Sequence, residues 1–266
     1  METGKVERTI VLLTDFGQSC FAGIMKGVIL NINENAKVID LTHEVEPGNI
    51  VEASFILKKS FRYYPPRSIF VNVVDPSVGT ARKILILYKP KEDYIFMAPD
   101  NGLLYPLIEK DDLIYEVDND TYFLKPTSTT FHGRDIFAPI SAFLSIGLPI
   151  NAVASKIEKD LVKRLELPHA KVGDSYVEGV PIFADRFGNL ITNIEGEALT
   201  GRKIKRISFG EIEVTGLYSN FEAAKGKGIG AVIGSFGVLE LFTYLGSLKE
   251  EIPDWRDKKI QIEFED

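Results

Sequence analysis

Thr9–Leu13 (TIVLL), Phe21–Ile32 (FAGIMKGVILNI) and Lys37–Leu41 (KVIDL) follow one another near the start of the chain, and their reading decides the fold. The first is a continuous apolar run, the pattern of a strand buried on both faces. The second places Phe21, Ile24, Met25, Val28 and Ile29 at helical spacing. The third returns to strand character. Working outward, Ile50–Phe61 reads as a second helix, stopped by Tyr63-Tyr64-Pro65-Pro66. Ser68–Val74, Ile84–Tyr88 and Tyr94–Ala98 read as further strands, and Ile136–Ile146 as a helix closed by Gly147 and Pro149. Strands alternating with helices predict a three-layer α/β domain with a mainly parallel sheet.

After about Pro168 the rhythm changes. Val177–Ala184, Leu190–Ile194, Lys203–Phe209, Glu211–Val214, Ile229–Ile233, Val238–Tyr244 and Lys259–Phe264 are short strand-like runs punctuated by glycines. That predicts an antiparallel, β-barrel-like second domain. The boundary falls within 165–176, giving domains 1–170 and 171–266. Lys249–Asp266 alternates in a way that predicts an edge strand, and Gly226–Gly234 reads as strand and turn.

Composition narrows the function. The 266 residues carry 31 Lys+Arg and 38 Asp+Glu, a net charge of −7, which argues against a nucleic-acid backbone binder. A single cysteine, Cys20, excludes an internal disulfide framework. The apolar run before Thr14 and Asp15 is too short for a signal-peptide core, and no run approaches a membrane span; the expectation is a cytoplasmic protein without membrane partners. No P-loop, G-x-G-x-x-G or G-x-S-x-G motif occurs. Asp15-Phe16-Gly17 lacks the H-R-D loop of a kinase, and His43, His132 and His169 lack zinc-ligand spacing. No metal is expected.

What remains is a set of polar residues placed after strands, where loops at the carboxyl ends of a parallel sheet form a ligand crevice. Asp15 follows the first strand, Asp75 opens Asp75–Arg82 (DPSVGTAR), Asp100-Asn101-Gly102 follows Tyr94–Ala98, and His132 precedes a helix. Singly, each Asp can serve as a cap or an Asx-turn. Converging on one edge, the four predict a site.

TDFG at Thr14–Gly17, DPSVGTAR at Asp75–Arg82, APDNGLL at Ala98–Leu104, FHGRDIFAP at Phe131–Pro139 and FGNLITNI at Phe187–Ile194 resemble the S-adenosylmethionine hydrolases. These are the hydroxide adenosyltransferases of the DUF62 family, related to fluorinase and chlorinase. The resemblance runs over nearly the whole chain. It implies hydrolysis of S-adenosylmethionine to adenosine and methionine, with attack at ribose C5′, no cofactor, and a homotrimer with sites at subunit interfaces. It maps a catalytic Asp-Arg-His triad onto Asp75, Arg82 and His132, with either Asp75 or His132 accepting the proton. Asp15 would take the ribose hydroxyls. Asp185 and Asn189 would meet the amino-acid end, and Ser235, Phe236 and Glu240 would touch methionine and adenine. Thr243-Tyr244 stands where the family commonly has an Asn. Two alternatives accompany this reading: a halide-using adenosyl synthase, for whose extra loop Tyr88–Tyr94 is short, and a non-catalytic S-adenosylmethionine sensor.

Overall fold

The computed structural model describes residues 8–265. Residues 1–7, which begin the stretch read above as no signal segment, lie outside that range. The chain divides into two compact units, Met1–Glu166 and Leu167–Asp266.

The first unit runs β1 (Ile10–Thr14), α1 (Phe21–Ile32), β2 (Val38–Thr42), α2 (Ile50–Ser60), β3 (Ile69–Val73), β4 (Ile84–Lys89), β5 (Tyr94–Pro99), β6 (Leu113–Val117), α3 (Ala138–Ser145) and β7 (Ala154–Ile157). Its strands form one sheet in the order β2-β1-β3-β5-β4-β6-β7. The β2, β1, β3 and β5 strands pair in parallel, and β4, β6 and β7 extend the sheet antiparallel. Alternate strand residues feed two cores. Ile10, Leu12, Val71 and Met97 pack with α1 and α3 on one face, and Val11, Leu13, Phe70 and Phe96 pack with α2 on the other. Every residue of β1, β3 and β5 is buried, as a sheet covered on both faces requires. The β6 and β7 strands escape the sequence reading because they are short and half-exposed.

The helix expected over Ile136–Ile146 starts earlier, with a π-turn at Gly133–Phe137 before α3. Pro139 explains this. It has no N–H for the Asp135 carbonyl and its ring crowds that group, so the turn widens. The freed Asp135 carbonyl instead accepts the Leu124 N–H at 2.8 Å.

The second unit comprises β8 (Lys171–Val172), β9 (Tyr176–Gly179), β10 (Pro181–Ala184), β11 (Leu190–Glu195), β12 (Ile204–Phe209), β13 (Ile212–Val214), β14 (Leu217–Tyr218), β15 (Ile229–Ile233), β16 (Val238–Thr243), α4 (Leu248–Glu251) and β17 (Ile260–Phe264). They form two five-stranded sheets, β10-β11-β16-β15-β14 and β13-β12-β17-β9-β8. All pairings are antiparallel except β14 with β15. Two expectations need correcting. The single strand read over Val177–Ala184 is two strands in different sheets. The chain crosses at Val180, whose N–H and C=O are both held by Asn193, through its Oδ1 at 2.8 Å and its N–H at 3.1 Å. And β17 is no edge strand; it lies between β12 and β9, because Ile260, Ile262 and Phe264 all face the core.

Candidate functional site

In the first unit, the loops at the carboxyl ends of β1, β3 and β5 gather the expected polar residues. Asp75 leaves β3 and is gripped by Arg82, whose Nε donates to Oδ1 and Oδ2 at 2.9 and 2.8 Å while Nη2 donates to Oδ2. Both side chains are almost fully buried. Ser77 Oγ donates to Asp75 Oδ1 at 3.2 Å. Arg82 Nη2 also faces His132 Nδ1 at 2.9 Å. A guanidinium nitrogen only donates. Nδ1 therefore accepts, and the ring is neutral with its proton on Nε2. Burial first, and the Arg82 charge second, hold the His132 pKa below the ordinary imidazole value; Asp75 and Asp135 pull weakly the other way. The triad thus presents one guanidinium, one carboxylate and one Nε2–H donor.

Two loops set this triad by close contact. Gly79, with φ +80°, lies against the Thr129 carbonyl so tightly that a Cβ would collide with that oxygen. The Thr129 loop is itself held by Asp135, fully buried, whose Oδ2 accepts the Ser128 N–H at 2.7 Å. Asp135 also takes Arg134 at 2.6 and 2.9 Å.

Asp15 sits just beyond β1, half-buried, with Oδ2 accepting the Gly48 N–H at 2.8 Å. A Cβ at Gly48 would come into van der Waals contact with Pro76, beside Asp75. On its other flank Phe16 meets Phe131 edge to face at 5.9 Å, and Phe21 packs on both rings. Asp15, Asp75 and His132 therefore belong to one connected edge. Asn101 braces the same edge from inside, donating to the Val74 carbonyl at 2.8 Å, whereas Asp100 caps Lys163 N–H at 2.9 Å and supports the chain rather than the site.

His43 lies outside the set of residues that the sequence pattern assigns to the site. Its Nδ1 lies 2.8 Å from Thr14 Oγ1, its carbonyl accepts the Gly17 N–H at 2.7 Å, and Phe16 N–H reaches Thr14 Oγ1 at 3.3 Å. Its Nε2 lies 3.1 Å from Asp40 Oδ1 but poorly aligned for a hydrogen bond. The residue straddles Asp15 and fixes its turn. The signal was available, since His43 directly follows β2 as Asp15 follows β1.

In the second unit, Asp185, Asn189, Ser235, Phe236 and Glu240 share one concavity of about 440 Å³. Asp185 Oδ1 accepts the N–H groups of Phe187 and Asn189, each at 2.9 Å, and Oδ2 accepts Asn189 Nδ2 at 3.0 Å. Phe187 stands out from that loop, 76% exposed. An adjoining hollow is lined by Phe187, Asn189, Phe221 and Thr243–Gly246. Thr243 Oγ1 donates to Glu251 Oε2 at 2.9 Å. Among the described residues, no group of three His, Cys, Asp or Glu is arranged to hold a metal, and no helix is long and apolar enough to cross a membrane.

Two family models match the chain: SAM hydroxide adenosyltransferase N-terminal domain over residues 10–154 and SAM hydroxide adenosyltransferase C-terminal domain over residues 180–253. The (R)-S-adenosyl-L-methionine hydrolase of Methanocaldococcus jannaschii is 38% identical over 198 residues, covering 72% of this chain and 68% of its own. A fluorinase from Actinoplanes sp. is 29% identical over 194 residues, 64% of this chain and 65% of its own. An uncharacterized conserved protein from Thermotoga maritima has a crystal structure that superposes with a TM-score of 0.86 at 34% identity, covering 96% of this chain and 99% of that one.

Proposed function

Because this chain belongs to the SAM hydroxide adenosyltransferase family, we propose that it hydrolyses S-adenosyl-L-methionine to adenosine and L-methionine by in-line attack of an activated water at ribose C5′. The observation that carries this reading is the Arg82 donor aimed at His132 Nδ1. The reaction makes that arrangement useful. Methionine leaves as a neutral thioether from a sulfonium, so no acid is needed to protonate it. The attacking water must lose one proton, and the balance is substrate cation plus water giving adenosine, methionine and H⁺. The catalytic task is to hold water behind C5′ and favour hydroxide.

Arg82 and the His132 Nε2–H supply what hydroxide requires: a positive charge and a hydrogen-bond donor. His132 is a poor base in this state, because Nδ1 is occupied and Nε2 already carries its proton. Asp75 is the remaining acceptor of the triad. Asp15 takes the two ribose hydroxyls, a role for which a carboxylate has enough lone pairs. The chemistry uses no cofactor. Relatives carry the (R) sulfonium epimer in their names, and we assign the same epimer to this chain as its substrate.

The halide-using alternative is disfavoured by the hairpin between β4 and β5, which spans only Pro90–Asp93, and the sensor alternative by an intact triad. The protein works in the cytoplasm as a homotrimer, its sites shared between neighbouring chains, without nucleic-acid or membrane partners. Incubation with (R)-S-adenosylmethionine in ¹⁸O-water tests the function. Label in the adenosine 5′-hydroxyl is the expected result. A halide-dependent 5′-haloadenosine, or no turnover, would overturn it in favour of the synthase or the sensor.

A further inference from the structure

We infer that Asp135 is a positioning residue for the reaction assigned above: it clamps the strap 124–129 onto the turn that carries His132, and so keeps the imidazole on Arg82. The inference rests on that reaction and deepens it. Three observations carry it. First, Asp135 is fully buried and holds both sides of the contact. Its N–H donates to the Phe131 carbonyl at 3.2 Å, closing the turn over His132. Its own carbonyl accepts the Leu124 N–H at 2.8 Å and its Oδ2 the Ser128 N–H at 2.7 Å, so one residue grips the strap twice. Second, the strap presses on the loop that carries the rest of the triad. The Thr129 carbonyl lies where a Cβ of Gly79 would stand, and Gly79 lies between Asp75 and Arg82 in the chain. The strap therefore sets the spacing across which Arg82 Nη2 meets His132 Nδ1 at 2.9 Å. Third, the clamp stays ionised. Burial pushes the Asp135 pKa up, but the Arg134 hydrogen bonds and the Ser128 N–H outweigh it and hold the pKa below the ordinary carboxylate value. Donors to a developing hydroxide work only when held this closely, since a displacement of about 1 Å costs about 100-fold in rate.

Arg82, Asp75 and Asp135 are the charged groups that act on His132. Burial and Arg82, which lower its pKa, outweigh the two carboxylates, which raise it. A ring released from Arg82 therefore titrates higher, toward the ordinary 6.5. Loss of the Asp135 charge alone would move it lower.

That difference in sign is the test. Arg134→Met with Asp135→Leu replaces the buried ion pair by apolar side chains, a change that commonly preserves stability, but leaves the Ser128 N–H without its acceptor. Ser128→Pro removes the same N–H from the strap and leaves the ion pair in place. The readouts on the whole protein are kcat, KM, melting temperature and the His132 midpoint followed by NMR. Both variants should lose about 100-fold in kcat with KM little changed, and the His132 midpoint should move up. Asp135→Asn, which keeps an oxygen for the Ser128 N–H, should recover at least about 10-fold of that loss. The double variant should melt near the parental temperature, which a purely structural role would accompany with parental kcat. A His132 midpoint that stays or moves down in both variants overturns the inference, as does parental kcat in both. The titration needs no substrate. Absence of S-adenosylmethionine turnover in the unaltered protein would overturn the assigned reaction, while the His132 midpoint would still decide the clamp.

Discussion

At the scale of single residues, the direction of one hydrogen bond sets what His132 can do. Its Nδ1 accepts from Arg82 only while the ring is neutral. Because its pKa lies below the ordinary 6.5, neutrality persists through the physiological range and fails as pH falls through the lowered value. Any acid-side loss of turnover through His132 should therefore have its midpoint below pH 6.5. His132→Ala and Arg82→Ala should each lower kcat by roughly 10²–10³-fold, the usual range for losing one donor to a developing anion, with KM little changed. An acid-side midpoint above pH 6.5, or a variant with full turnover, would remove the residue from this role. Asp75 was legible in the sequence because it sits where a strand hands over to a loop, and His132 because it stands just ahead of a helix. The tautomer was not, because it depends on a guanidinium fifty residues away in the chain.

The elements show where sequence patterning is sufficient and where it fails. The apolar run at β1 and the spacing on α1 identify both elements because burial on two faces, or along one stripe, leaves a period in the sequence. The β9–β10 crossing has no such signature. The two strands follow one another with a single residue between them, and the Asn193 bracket and the close approach at Gly179 mark the division. His43 differs: its place directly after β2 was legible, but sequence spacing weighs it as a metal ligand and not as a brace for Asp15. Gly79 shows an element-scale constraint with a measurable cost. Its φ of +80° and its contact with Thr129 leave no space for a side chain. Gly79→Ala should cost about 1–3 kcal/mol through backbone strain and forced separation of the two loops. Since those loops carry Asp75 and lead to His132, kcat should fall with the melting temperature. A variant as stable and as active as the parent would show that the two loops do not set the triad.

For the whole molecule, the question is which chains complete a site. Asp15, Asp75, Arg82 and His132 belong to the first unit, and Asp185, Asn189 and Glu240 to the second. In the trimer proposed here, the first unit of one chain meets the second unit of its neighbour head to tail, a contact that repeats and closes as a ring. Mixing two inactive variants separates this arrangement from sites built within one chain. Asp15→Ala damages only a first unit, and Asn189→Ala only a second. In a ring refolded from equal amounts, a shared site is intact when an Asn189→Ala chain supplies its first unit and an Asp15→Ala chain its second. Random assembly makes that about one site in four. Co-refolded protein should therefore recover about a quarter of the parental turnover, while each variant refolded alone stays inactive. If each site lay within a single chain, every chain would carry one lesion and mixing would recover nothing. A mixture as inactive as its components would overturn the shared site.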